Sequence, residues 1–177
     1  MKSPKLQKNI TLAWFNMFVV YLGIGTNEGD RRQNIQECIQ SINEKIGEIK
    51  AKSSIYETEP WGVENQETYY NIVLKLKTSL YPLHLLKMVQ EIETNLGRIR
   101  REKWGSRIID IDILFYQDFV FSTPDLIIPH PYVAQRNFVL DPLLEIDSNF
   151  VHPKLKKSIA SIRTLSKDSN WIKRLDT

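Results

Sequence analysis

The stretch that most constrains the fold is Ile108-Ile109-Asp110-Ile111-Asp112-Ile113-Leu114-Phe115. Branched and aromatic residues of this kind favour a strand, and side chains two apart on a strand share a face. Asp110 and Asp112 therefore project together, while Ile109, Ile111 and Ile113 point the other way. Two such carboxylates lie about 6.5–7 Å apart at Cα, a span that can bracket divalent ions about 3.5–4 Å apart. Isolated buried carboxylates are very costly, so this face must meet a metal, a cationic partner or water. A solvated strand edge paired with nearby arginine would carry the same two acids.

The preceding segment, residues 98–107, supplies the cations. It holds Arg98, Arg100, Arg101, Lys103 and Arg107 with a single acid, Glu102, plus Trp104 and Gly105. Guanidinium forks bind phosphate oxygens bidentately, and a long loop of this kind is poor structural filler. Cations for phosphates beside carboxylates for magnesium form the inventory of phosphoryl transfer. Unliganded, the clustered charge repels itself. Phosphates would draw the loop closed as a lid under Trp104, opposite a second flap at residues 58–66.

Size and charge bound the alternatives. A chain of 177 residues suits one domain with a good core. A net charge of +3 argues for neither a nucleic-acid nor a membrane partner. The lone Cys38 excludes an internal disulfide and fits a reducing cytoplasm. Lys2, Lys5 and Lys8 precede an apolar run at residues 10–22, superficially like a signal peptide, but no small-x-small site follows. Residues 1–17 are read as an extension of unassigned role and 18–177 as one domain. No apolar run is long enough to span a bilayer.

Along the chain, residues 18–25 read as a buried strand ending in a glycine turn that is neither a dinucleotide fingerprint nor a Walker loop. Asp30 and Gln33 suggest a capping box for a helix whose stripe is Ile35, Cys38, Ile39, Ile42 and Ile46, with Gly47 as its stop. Residues 51–57 form a second strand and 69–78 a third, with Ile72, Leu74 and Leu76 opposite Tyr69, Asn71 and Val73. Pro82 opens a second helix with Leu85, Leu86, Val89, Ile92 and Leu96 inward and Gly97 at its end. Short extended pieces follow near 119–121 and 126–128, then a helix at 138–146 in which Pro142 is tolerable only within the first turn. Leu155, Ile159 and Ile162 mark a last helix, and the tail beyond Lys167 reads as loosely held. Strand–helix–strand twice over gives an α+β fold, a ferredoxin-like βαββαβ core with extra C-terminal strands and helices.

Gly97-Arg98-Ile99-Arg100, then Trp104-Gly105-x-Arg107, then Asp110-Ile111-Asp112-Ile113-Leu114 resemble the signature of the 6-hydroxymethyl-7,8-dihydropterin pyrophosphokinase family. Further likenesses occur in matching order: Gly25-Thr26-Asn27, Thr58-x-Pro60, Tyr69-x-Asn71, Gln90-x-x-Glu93, Pro129-His130 and Arg136-x-Phe138-Val139-Leu140. The resemblance covers roughly residues 18–165. It implies transfer of pyrophosphate from ATP to the hydroxymethyl group of the dihydropterin, giving the pterin diphosphate and AMP in folate biosynthesis.

It also implies roles for residues. Asp110 and Asp112 would hold two Mg²⁺ and, with Arg98 and Arg100, carry catalysis. ATP would lie on Gln90, Glu93, Arg100, Arg107, Ile113, His130 and Arg136. The pterin would lie on Thr58, Trp61, Tyr69, Asn71, Asp110 and Phe138. An aromatic face suits a flat heterocycle, and a carboxamide suits its donor–acceptor edge. This chain departs from some members at Pro131, where they carry an aromatic, and in a basic loop one residue shorter. The implied partners are the two substrates and other folate-pathway enzymes, without nucleic acid or membrane. Two other classes compete. An RNA-binding module shares the βαββαβ order but needs an aromatic motif on a central strand. A non-catalytic small-molecule-binding module of the same shape leaves the arginines beside paired carboxylates unexplained.

Overall fold

The computed structural model describes residues 17–60, 67–98 and 106–175. The extension at 1–16, Trp61, Arg100 and Trp104, and with them most of both expected flaps, lie outside the described residues. The chain runs β1 (Phe18–Thr26), α1 (Arg31–Lys45), β2 (Glu48–Lys52), β3 (Tyr56–Thr58), β4 (Tyr69–Thr78), α2 (Pro82–Asn95) and β5 (Asp110–Tyr116). Beyond these come β6 (Phe121–Ser122), β7 (Ile127–Ile128), α3 (Asn137–Asp147), α4 (Ile159–Thr164) and β8 (Ile172–Arg174).

The main sheet is antiparallel, in the order β5-β1-β4-β3-β8, with β2 also on β4. Counting β2 and β3 as one interrupted strand, this is the expected ferredoxin-like core. Its long strands are apolar on both faces because both are covered. One face packs on α1 and α2 through Val20, Leu22, Ile24, Ile72, Leu74 and Ile111, against Ile35, Ile42, Leu85 and Ile92. The other face buries Tyr21, Val73, Leu114 and Phe115 under Leu140, Leu143, Ile159 and Ile162 of α3 and α4. Each fully buried side chain of this size contributes about 1.5–3 kcal/mol of transfer free energy. Because α3 and α4 cover only part of that second face, a cleft remains beside them.

Two irregularities position the site. The single strand expected at 51–57 is divided in two. The register passes from Lys52↔Leu74 to Tyr56↔Asn71, so one extra residue is accommodated as a bulge. Ser53 bonds Val73 through both its backbone and its hydroxyl, and Ser54 turns out to donate to Glu145 of α3. On β5, Phe115 pairs with Tyr21 but Ile113 with Leu22, leaving Leu114 as the bulged residue. Its carbonyl is free to accept the N–H of His130 at 3.0 Å, which docks the Pro129-His130 loop next to the aspartates.

Local signals are used in modified form. Asp30 caps α1 through the N–H of Gln33 at 3.0 Å, but the Gln33 side chain turns forward to Glu37, so only half a capping box forms. Gly47 does stop α1, by close approach: a Cβ there would sit 2.1 Å from the Lys77 carbonyl oxygen. Gly97 ends α2 at φ +91°, the left-handed region that glycine tolerates.

Three expectations need correction. Helix α3 begins at Asn137, which places Pro142 in its second turn. Lacking an N–H, Pro142 gives the Phe138 carbonyl no helical partner, and core burial of the helix carries the loss. Helix α4 starts only at Ile159, capped by Ser158, and Leu155 is 48% exposed in the preceding turn. The tail is not loose: β8 extends the sheet along β3, and Leu175 N–H bonds the Ile55 carbonyl at 2.8 Å.

Candidate active site

The cleft opens over the ends of β1, β4 and β5. Its space, with the open solvent at its mouth included, comes to about 790 Å³. Thr58 and Glu59 follow β3 along one side, Tyr69 and Asn71 rise from β4, and Asp110, Asp112 and Leu114 rise from β5. Arg107, Arg136 and Phe138 close the rim. The floor is Gly25, where a Cβ would press within 3.0 Å of the Asn71 side-chain oxygen.

Asp110 lies between two guanidiniums. Arg98 Nη1 is 2.6 Å from its Oδ1, and Arg107 pairs with its Oδ2. Arg98 is also paired with Glu93, which is buried and accepts the Ile111 N–H at 2.7 Å. Burial raises Glu93 to about 7, against the lowering effects of the Ile111 N–H and Arg98. The backbone of Arg107 is fixed from the other side, its N–H bonding Asn27 Oδ1 at 2.8 Å and its carbonyl accepting the Asn27 N–H at 3.1 Å.

Asp112 is in a different situation. Its side chain keeps 39% exposure toward the cleft. No hydrogen bond to it is seen among the described residues; its ion-pair neighbour is His130, Nε2 at 3.9 Å. Loss of water, and then the charge of Asp110, push its carboxyl up to about 6. His130 does not neutralise it, since burial and then Arg136 depress the imidazole to about 4. A carboxylate so placed favours an added cation.

The other half of the cleft is quieter. Asn71 is buried and donates to Thr58 Oγ1 at 2.9 Å. Burial raises the phenol of Tyr69 above its ordinary value. Phe138 stands at the start of α3 with the Arg136 guanidinium 5.5 Å from its ring, and the same guanidinium lies 4.8 Å from the Tyr132 ring. An aromatic is thus present one residue beyond Pro131.

The structure brings together Thr58, Tyr69, Asn71, Arg107, Asp110, Asp112, Arg136 and Phe138, with Arg98 and His130 in contact behind and beside the aspartates. It does not bring all the expected residues. Ile113 points its side chain into the core on the opposite face, because it alternates with Asp112, which leaves its backbone as the part that could meet a nucleotide. Gln90 is exposed on α2 and does not line this cleft, while Glu93 acts as a bracket for Arg98 and β5. Glu59, Leu114 and Val139 line the cleft without having been singled out for it. Leu114 had a signal, since it continues the alternation of Asp110 and Asp112; Glu59 had none.

The profile of the family "7,8-dihydro-6-hydroxymethylpterin-pyrophosphokinase (HPPK)" matches residues 21–148. The 2-amino-4-hydroxy-6-hydroxymethyldihydropteridine pyrophosphokinase of Aquifex aeolicus is 46% identical over 147 residues, 83% of this chain and 91% of that protein. The enzyme of the same name from Bacillus subtilis is 41% identical over 129 residues, 72% of this chain and 77% of its own. Among solved structures, the Plasmodium falciparum HPPK-DHPS triple mutant with pteroate superposes with a TM-score of 0.68 at 20% identity. It covers 84% of this chain, which spans 43% of that one, and the likeness bears on the fold. With the profile covering most of the chain and relatives above 40% identity over most of their length, the chain belongs to the 7,8-dihydro-6-hydroxymethylpterin-pyrophosphokinase family.

Proposed function

We propose that this chain transfers the pyrophosphoryl group of ATP to the hydroxymethyl group of 6-hydroxymethyl-7,8-dihydropterin, releasing AMP. The observation that carries this reading is the adjacency, in one cleft, of the Asp110–Asp112 pair and the Tyr69–Asn71–Phe138 pocket. The pterin oxygen attacks the β-phosphorus, a new O–P bond forms, and the bond from that phosphorus to the α–β bridging oxygen breaks. AMP leaves with that oxygen, and the hydroxyl proton passes to a nearby base, for which an aspartate of the pair is the candidate.

Magnesium fits the donor set. Among the described residues, Asp112 presents to the cleft a carboxylate with no hydrogen bond, and no third His, Cys, Asp or Glu completes a closed metal cage. Magnesium keeps several waters and takes the remaining ligands from substrate phosphates. Asp110 and Asp112 would hold it, and it would neutralise charge on the phosphate oxygens. The remaining work falls to the chain. Tyr69 and Phe138 hold the heterocycle, Asn71 reads its edge, and Arg107 and Arg136 at the rim face the phosphates. Arg98 and Arg107 both rest on Asp110 here, so incoming phosphate competes with a carboxylate for each guanidinium. Catalysis is then positioning and electrostatics, with no covalent intermediate.

No helix among the described residues is long and apolar enough to cross a membrane. We place the reaction in the cytoplasm, with folate-pathway enzymes as its neighbours. The test is incubation of the chain with ATP, Mg²⁺ and the pterin alcohol, with mass spectrometry of the products. AMP and the pterin diphosphate in equal amounts are expected; ADP with a pterin monophosphate, or no pterin product, contradicts the reading.

A further inference from the structure

We propose that residues 168–174, beyond the stretch matched by the family profile, form a strap that sets the spacing between the two walls of the pterin pocket, with Asp168 as its main positioning residue. The proposal rests on the pyrophosphokinase reading of that pocket. On one wall, Asp168 Oδ2 accepts the N–H of Asn137 at 2.7 Å, and the Asp168 carbonyl accepts the Asn137 side-chain amide at 2.8 Å. Asn137 is the first residue of α3, where backbone N–H groups have no partner within the helix. The preceding Arg136 gives no side-chain cap. Asp168 therefore caps the helix from 31 residues away, and its negative charge suits a helix N-terminus. Asn137 is buried between Arg136 and Phe138 in sequence, so moving it moves both rim residues.

On the other wall the same segment pairs with β3, with Ile172 opposite Thr58, and Trp171 N–H donates to Glu59 Oε1 at 3.0 Å. Thr58 in turn accepts from the buried Asn71. Arg174 closes the span: it donates to Ser54 Oγ at 2.9 Å and to Glu145 of α3 at 3.2 Å, and Glu145 also receives Ser54 and Tyr56. Trp171, Lys173 and Arg174 are exposed. The segment thus adds little to the core, and what it supplies is placement.

The test compares wild type with Asp168→Ala, Asp168→Asn and Trp171→Pro, measuring kcat and the KM for each substrate. Asp168→Ala should raise the pterin KM about tenfold, the scale of a small misplacement of a binding wall. Its kcat should stay within about twofold, and its nucleotide KM should rise clearly less than the pterin KM, since only Arg136 of the nucleotide side shifts with Asn137. Asp168→Asn, which keeps an acceptor oxygen, should recover most of the loss. Trp171→Pro removes the backbone donor to Glu59 together with the half-exposed indole, and should raise the same KM by about threefold, on the scale of a single hydrogen bond. An unchanged pterin KM in Asp168→Ala, or equal losses for both substrates, overturns the strap while leaving the enzyme reading intact. A wild-type chain that does not bind the pterin alcohol overturns both.

Discussion

The two halves of the cleft are built in opposite ways. The charged half comes from one short run of sequence, Arg98 to Asp112, braced by Glu93 and Asn27. Its members attract and compete with one another. Asp110 is shared by two arginines, and Asp112 is left without a hydrogen bond from the described residues, at a raised pKa. The half we assign to the pterin is assembled from residues far apart in sequence, with Asn71 bonded to Thr58 and Asp168 capping the helix that carries Phe138. One half therefore stores unsatisfied charge for a ligand to answer, while the other is a finished mould. Losses in the first should appear in turnover and in binding of the magnesium–nucleotide complex, losses in the second in affinity for the pterin.

The largest effect expected is on turnover. Asp112→Ala removes the carboxylate that faces the cleft, and kcat with saturating ATP and magnesium should fall by about 10³-fold or more. A folded Asp112→Ala chain with near-normal magnesium-dependent AMP release would break the division at its charged end.

Next comes the mould. Phe138→Ala and Tyr69→Ala should each weaken pterin binding by about 1–3 kcal/mol, the scale of a lost stacking partner. Calorimetry should find a smaller change for the nucleotide. Equal losses for both ligands would mean that the rings serve the whole cleft.

The smallest effect sharpens the claim that the charged half is strained without ligand. The Asp112 carboxyl is raised from 3.8 to about 6 by desolvation and by Asp110. Its ionised form therefore costs stability at pH 8, and that cost vanishes once the pH falls below 3.8 and both folded and unfolded states are protonated. Asp112→Asn should then raise Tm at pH 8. The gain should shrink as pH falls through about 6 and disappear below 3.8. Since the side chain is 39% exposed, solvent limits the gain to a few degrees. A Tm difference independent of pH would remove the electrostatic explanation.

The same contrast explains what could be read in advance. Alternation placed Asp110 and Asp112 on one face and the isoleucines on the other, and the two strand–helix–strand halves gave the core topology. Those signals are local, so periodicity carries them. The alternation of Ile113 with Asp112 puts its side chain in the opposite core, so a nucleotide could meet only its backbone. The bulges between Ser53 and Tyr56 and at Leu114 leave no signal in the sequence, because one unpaired residue makes no mark in an apolar pattern. The tail was misjudged for a related reason. Three exposed residues of β8 show little hydrophobic periodicity, and Asp168 gains its meaning only from an N–H 31 residues away. Local rules admit Pro142 only in a first turn, whereas it stands in the second turn of α3, where burial of the helix outweighs the lost bond.

The most direct test of the division is a crossed titration. Wild type, Asp112→Asn and Phe138→Ala are each titrated calorimetrically with the pterin alcohol alone and with a non-hydrolysable ATP analogue plus magnesium. The predicted pattern is a crossing: Asp112→Asn loses the magnesium–nucleotide complex by about tenfold or more while keeping the pterin, and Phe138→Ala does the reverse. If both variants lose both ligands in equal measure, the cleft is a single undivided site and the account is wrong.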